Sequence, residues 1–194
     1  MATQEEVKTK GAGKINQKVI SKSKNGNVDE KSDNLNTGIS KENSKKVAAV
    51  LNQLLADEFV LYTKTLNFHW NIEGSNFHSL HVFLDEQYNQ LQGIIDSVAE
   101  RIRNIGHFAK GSLKEFMEIA SLSEQPRGAA ISEDMITELV NDHDSIIRKT
   151  RGLIYDLDEE FDDAGSSDFI TGILKEHEKM AWMLRASVPK ETIK

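Results

Sequence analysis

FHWNIEGSNFHSLHVFLDEQYNQLQGIIDSVAERI, residues 68–102, places five ligand-type side chains at fixed intervals: His69, His81, Asp85, Asp96 and Glu100. Two imidazoles and three carboxylates form a donor set suited to iron, manganese or zinc. The same stretch decides the fold, because Leu80, Leu84, Gln87, Leu91, Ile94, Val98, Ile102 and Ile105 recur at helical spacing. With Gly106 as its C-terminal cap, this helix is about 28 residues long, or about 42 Å.

Working outward, a first helix reaches from about Ser40 to about Trp70 on Val47, Val50, Leu51, Leu54, Leu61, Tyr62, Thr65 and Phe68, and NIEGSN turns the chain after it. Between Gly106 and Ile131 lies a long link with one short helix, marked by Ser112 and, three residues on, Glu115. Ser132 then reads as the cap of a third long helix, with Glu133 and Asp134 in its first turn and Ile136, Val140, Ile147, Ile154 and Leu157 along its stripe. After DDAGSS a fourth helix carries Ile170, Ile173, Leu174, Met180, Ala181 and Leu184 and stops before Pro189. Four amphipathic helices, one long crossover and no strand-like stretch predict an all-α, ferritin-like four-helix bundle.

Helical angles separate the candidate ligands from the core. With His81 at 0°, Asp85 falls near 40°, Asp96 near 60° and Glu100 near 100°, whereas Leu80, Leu84, Leu91 and Val98 fall between about −60° and −100°. The ligand-type residues therefore face away from the subunit's own core. Glu-x-x-His, the signature of metals held inside a bundle, occurs nowhere in the chain. Nineteen residues also separate His81 from Glu100, about 28 Å along one helix, too far to share an ion. An identical helix packed antiparallel across a two-fold axis would bring His81 and Asp85 of one chain to Asp96 and Glu100 of the other.

Charge divides the chain as well. Residues 1–46 hold ten lysines and six acids, a local +4, so the total of −7 leaves −11 on residues 47–194. The first segment is rich in Lys, Gly, Ser and Asn and reads as a disordered basic arm over residues 1–43, followed by the bundle over 44–188 and a short tail over 189–194. There is no cysteine, which excludes disulfides, thiolate metal sites and thiol nucleophiles and fits a reducing cytoplasm. No secretory signal is read at the start, and no apolar run is long enough to span a bilayer.

Residues 68–102, together with HEKMAWMLRA at 177–186, resemble the Dps family, the DNA-binding proteins from starved cells or miniferritins. The resemblance covers about residues 44–188, and His-x11-His-x3-Asp-x10-Asp-x3-Glu is its most specific part. It implies a hollow homo-dodecamer of tetrahedral symmetry with a di-iron ferroxidase centre at each dimer interface, two metal ions per site. His69, His81 and Asp85 would come from one subunit, and Asp96 and Glu100 from its neighbour. It further implies that Fe(II) is oxidised by hydrogen peroxide in preference to dioxygen, that ferric mineral is stored in the cavity, and that the cell is protected from oxidative stress. Trp70 matches a tryptophan kept beside that site, either packing the pocket or intercepting stray oxidising equivalents. Asp168, with Asp162 and Asp163, would line three-fold pores that admit Fe(II), and Glu86 would face the cavity as a mineral-nucleating carboxylate.

The alternative function is non-specific DNA binding, with nucleoid association, through Lys8, Lys10, Lys14, Lys18, Lys22 and Lys24. Glu58, His143 and His177 sit mid-stripe on the first, third and fourth long helices and read as a buried hydrogen-bonded network or an intrabundle metal site. His78, in the first turn of its helix, reads as exposed or as a neighbour of the ligands, and His107 as a loop residue.

Overall fold

The computed structural model describes residues 35–124 and 131–188. Among these residues five α-helices follow in order: α1 Lys41–Asn71, α2 Phe77–Asn104, α3 Leu113–Ile119, α4 Ser132–Tyr155 and α5 Ala164–Ala186, with a π-helical turn, Asp156–Glu160, closing α4. The six arm lysines Lys8, Lys10, Lys14, Lys18, Lys22 and Lys24 lie outside the described residues. Among the described residues there is no strand, and no helix is long and apolar enough to cross a membrane.

Each helix is delimited by local chemistry. Ser40 caps α1 by accepting from the Asn43 amide at 3.1 Å, so the helix starts at Lys41, three residues inside the expected arm. Gly106, at φ +88°, ends α2. The Gly106 amide donates to Arg103 and the His107 amide to Ile102, the paired bonds of a Schellman motif. Ser112 and Glu115 form a complete capping box on α3.

Two boundaries differ from the sequence reading. Ser132 is not the cap of α4: it is already helical, its hydroxyl turns to Glu133, and extended Ile131 takes the cap position without a side-chain bond. DDAGSS is not all turn either, since Asp163 caps α5 and Ala164 to Ser167 form its first turn.

α1 pairs antiparallel with α2, and α4 with α5, as contacts such as Ser44 with Ile105 and Ser167 with Ile154 require. Lys64 on α1 reaches Asp142 and Glu138 on α4, and Arg101 on α2 reaches Asp163 before α5. The result is an up-down-down-up bundle whose crossover carries α3. Asp57, fully buried, fastens that crossover by accepting from Ser121, Leu122 and Lys149.

Phe68, Leu51 and Leu61 of α1, Leu84, Leu91 and Ile102 of α2, Ile136 and Leu139 of α4, and Met180 and Leu184 of α5 are buried at the centre. Each contributes roughly 1.5–3 kcal/mol by leaving water. On α4 the core face runs through Leu139, His143, Ile146 and Thr150, while Ile147 and Ile154 are only half-buried.

Candidate metal centre

α1 ends and α2 begins side by side, and the turn between them brings His69 against His81. Their rings stack at 3.8 Å between centroids, 19° from parallel. His69 Nδ1 lies 2.9 Å from the His81 carbonyl, and His81 Nδ1 lies 2.8 Å from the His69 carbonyl. A carbonyl only accepts, so both Nδ1 atoms donate, and in the neutral rings the lone pair stands on Nε2. This is the tautomer a metal-binding imidazole needs, imposed here by backbone contacts between two helices.

Asp85, half-buried one turn after His81, accepts from the Tyr88 hydroxyl and, at 3.2 Å, from Asn89 Nδ2. Tyr88 also stands edge-on to His69, 5.2 Å between ring centroids. The hydrogen bond to Asp85 holds the Tyr88 phenol above its ordinary pKa, with partial burial adding to the shift. His69, His81, Asp85 and Tyr88 thus form one connected group. Asp85 keeps further acceptor capacity on both oxygens.

Asp96 and Glu100 are exposed farther along α2, with Asp96 about 16 Å beyond Asp85 by helical rise. A hollow of about 720 Å³ lined by Phe59, Tyr62, Asn89 and Ile95 adjoins Asp96. Neither carboxylate enters an ion pair, and no three His, Asp or Glu side chains converge on one point suited to an ion, among the described residues. Within one chain, therefore, the five residues fall into two groups at separate heights of α2. The bound-metal chemistry fits the donors present, namely two imidazoles with free Nε2 atoms and carboxylates with open lone pairs.

Trp70 turns about 100° from His69 on α1. It is 67% exposed beside a hollow of about 340 Å³ shared with Lys64 and Glu124, and it makes no ring contact among the described residues. His78 and Glu86 are exposed. His107 lies in the loop after α2 as read, but buried: Ser44 Oγ donates to the Ile105 carbonyl and so accepts from His107 Nε2 at 2.7 Å. Of the acids after α4, Asp162 and Asp168 are exposed. Asp163, read from sequence as a pore acid, is 3% exposed and accepts from the Ser166 amide and hydroxyl and from Arg101, so its carboxylate is taken up within the chain.

Glu58, His177 and His143 do meet in the core. His177 Nε2 donates to Glu58 Oε1 at 2.9 Å, and the two Nδ1 atoms of His143 and His177 share a hydrogen bond of 2.9 Å. This is the buried network of the two readings. Tyr88 was missed. At about −20° on the helical wheel it sits between the ligand stripe and the core stripe, a position that could have flagged it.

The bundle and its split donor set define a class before they define a family. Residues 48–191 match the model of the ferritin-like domain. The chain is 38% identical over 159 residues to a low temperature-induced protein of Nostoc sp., covering 82% of this chain and 89% of that one. It is also 38% identical over 144 residues to DNA protection during starvation protein 2 of Bacillus anthracis, covering 74% and 97%. Among solved structures, a Dps protein from Bacillus brevis superposes with a TM-score of 0.73 at 34% identity, covering 78% of this chain and all of that one. The Dps protein of Vibrio cholerae O1, described as a member of a broad superfamily of ferritin-like diiron-carboxylate proteins, does so with 0.73 at 31%, covering 78% and 94%. The chain belongs to the Dps family of ferritin-like proteins, the miniferritins.

Proposed function

We propose that the protein is a ferroxidase and iron-storing miniferritin whose di-iron sites form between two chains. His69, His81 and Asp85 of one subunit face Asp96 and Glu100 of another across a two-fold contact of α2 on α2, which gives two equivalent sites per pair. The observation that carries this reading is the reciprocal hydrogen bonding of His69 and His81, which occupies both Nδ1 atoms and leaves both Nε2 atoms as the ring nitrogens open to a metal. Fe(II) is the substrate. Imidazoles and carboxylates bind it, and the carboxylates favour the harder ferric product. Two Fe(II) supply the two electrons that hydrogen peroxide needs to become water with two protons, so no hydroxyl radical need be released. Twelve subunits would enclose the ferric mineral, and Asp162 and Asp168, both exposed, would attract Fe(II) to the pores. Asp163 serves instead to hold the turn beside them.

The test is anaerobic Fe(II) loading followed by peroxide, read as ferric absorbance and iron count per assembly. His81→Ala with Asp85→Ala slows oxidation while leaving the oligomer whole; unchanged kinetics would remove these residues from the site.

The +4 of residues 1–46 against the −11 of the remainder favours a second activity, non-specific binding of DNA phosphates by the arm lysines. Relatives named for DNA protection during starvation include those of Bacillus anthracis and Brevibacillus brevis. Twelve arms would act together even if each is weak. Linear DNA should shift in a gel at low salt with the full chain and not with residues 44–194; no shift with either would leave the arm without this role.

A further inference from the structure

Six polar side chains, half-buried or exposed, form one row along α2: His81, Asp85, Asn89, Gln92, Asp96 and Glu100. They follow at intervals of four, four, three, four and four residues, so the row reads the same from either end. At about 100° per residue Asn89 falls near 80° and Gln92 near 20°, within the arc that the four ligand-type residues span. A helix docked on its own copy across a two-fold axis meets such a row reversed. Where His81 faces the partner's Glu100 and Asp85 faces the partner's Asp96, equal steps inward bring Asn89 to the partner's Gln92. The axis passes between these two amides, about 11 Å along α2 from either site. Within the chain the amides differ. Asn89 Nδ2 donates to the Asp85 carbonyl at 2.8 Å and to Asp85 Oδ2 at 3.2 Å, while Asn89 Oδ1 has no donor. Gln92 makes no hydrogen bond among the described residues. Both border the hollow of about 720 Å³ next to Asp96. A second α2 laid there takes the two amides out of water, and amides so covered must bond to each other.

We infer that the partner's Gln92 donates from Nε2 to Asn89 Oδ1 and that Asn89 hands the contact on to Asp85, so that docking of the second chain sets the Asp85 carboxylate. The inference rests on the two-chain metal centre proposed above. Gln92 supplies a donor where Asn89 has only an acceptor left, and Asn89 already holds Asp85 by the carboxylate and by the backbone. Asn89 is a positioning residue: it touches a ligand and leaves the ion to the ligand. Second contacts of this kind orient a metal-binding carboxylate and tune its affinity. The pair occurs twice, once on each side of the axis, and it also fixes the register of α2 on α2, as a single covered amide does in a coiled coil. A slip of one turn would set Asp85 against the partner's Glu100 and Asn89 against the partner's Asp96, where like charges meet and the amide pairing is lost. The same two side chains therefore choose the register that completes each site and orient a ligand within it.

The experiment is a Co(II) titration of the assembled full chain, followed by the visible absorption of the bound ion. Gln92→Met keeps the length of the side chain and removes its donor; it is expected to bind Co(II) about tenfold more weakly with the assembly unchanged in size. Asn89→Ala is expected to lose at least as much, and the double variant no more than Asn89→Ala alone, because Gln92 acts through Asn89. Unaltered affinity in Gln92→Met, or losses that add in the double variant, overturns the inference. The contact between chains is read separately. The chain has no cysteine, so an Asn89→Cys protein and a Gln92→Cys protein with tags of different length are co-assembled and treated with a short thiol cross-linker. A product that joins one long and one short chain is expected, and its absence overturns the pairing whatever the affinities. Unaltered protein that binds no Co(II) overturns the metal-centre reading and the role at Asp85 with it.

Discussion

His69 and His81 take their chemical state from each other's backbone, and no property of either residue alone would supply it. The twelve-residue interval was legible as ligand spacing, but the exchange of Nδ1 bonds depends on how α1 and α2 pack and is invisible in a linear pattern. Tyr88 escaped notice for a related reason. A tyrosine three residues after Asp85 is ordinary in a helix until its hydroxyl is seen on that carboxylate. His143 is the opposite case, read correctly as a buried partner of His177 because it interrupts an apolar stripe. Burial, reinforced by the nearby His177 and Arg185, holds the His143 imidazole well below its usual 6.5, so it is neutral in the fold. As pH falls below about 6.5 the unfolded chain takes up that proton and the folded chain does not. Stability is therefore full above that pH and is lost below it, by up to about 1.4 kcal/mol per pH unit. Urea unfolding at a series of pH values checks this: His143→Gln should flatten the acid-side slope by about one proton, and an equal slope in both proteins would contradict it.

Among the elements, the long helices were legible because three-and-four apolar spacing is redundant over many turns, so every predicted core residue of α2 and α5 is buried. Ends were less so. A serine before a helix looks like a cap whether it stands at the cap or one residue inside, and Ser132 stands inside. The π-helical turn at Asp156–Glu160 has no sequence signal of its own, since DLDEE reads as an ordinary helix end. At the start of α5, Asp163 does two things that residue counting does not separate: it caps the helix and it neutralises Arg101. Gly165 allows the approach, because a Cβ there would lie 2.9 Å from Arg101 Nη2. Asp163→Ala should cost about 2 kcal/mol by removing a cap and leaving a partly buried cation unpaired, and Asp163→Asn should cost less because its side-chain oxygen can still cap. Thermal or urea unfolding of the two variants decides it, and equal stability of Asp163→Ala with the unaltered protein would contradict the double role.

For the whole molecule, sequence geometry led to a conclusion that one folded chain cannot display. Helical angle set the four ligand-type residues of α2 off the core, and axial distance divided them. In the folded chain, His69, His81 and Asp85 cluster at one height of α2, while Asp96 and Glu100 stand exposed at another. What remained illegible was the side-chain packing against a second copy, because contacts between chains are not written in the spacing of one of them. The division nevertheless makes a sharp test. Let one variant carry His81→Ala and Asp85→Ala, and the other Asp96→Ala and Glu100→Ala; each alone has no intact site. In a pair formed from one of each, the first chain's Asp96 and Glu100 meet the second chain's His81 and Asp85, so one of the two sites is whole again. Random assembly at equal amounts makes half the pairs mixed, which restores about a quarter of all sites. Fe(II) oxidation by peroxide in the co-assembled protein should therefore return to about a quarter of the unaltered rate. Activity no higher than that of either variant alone would contradict a site shared between chains.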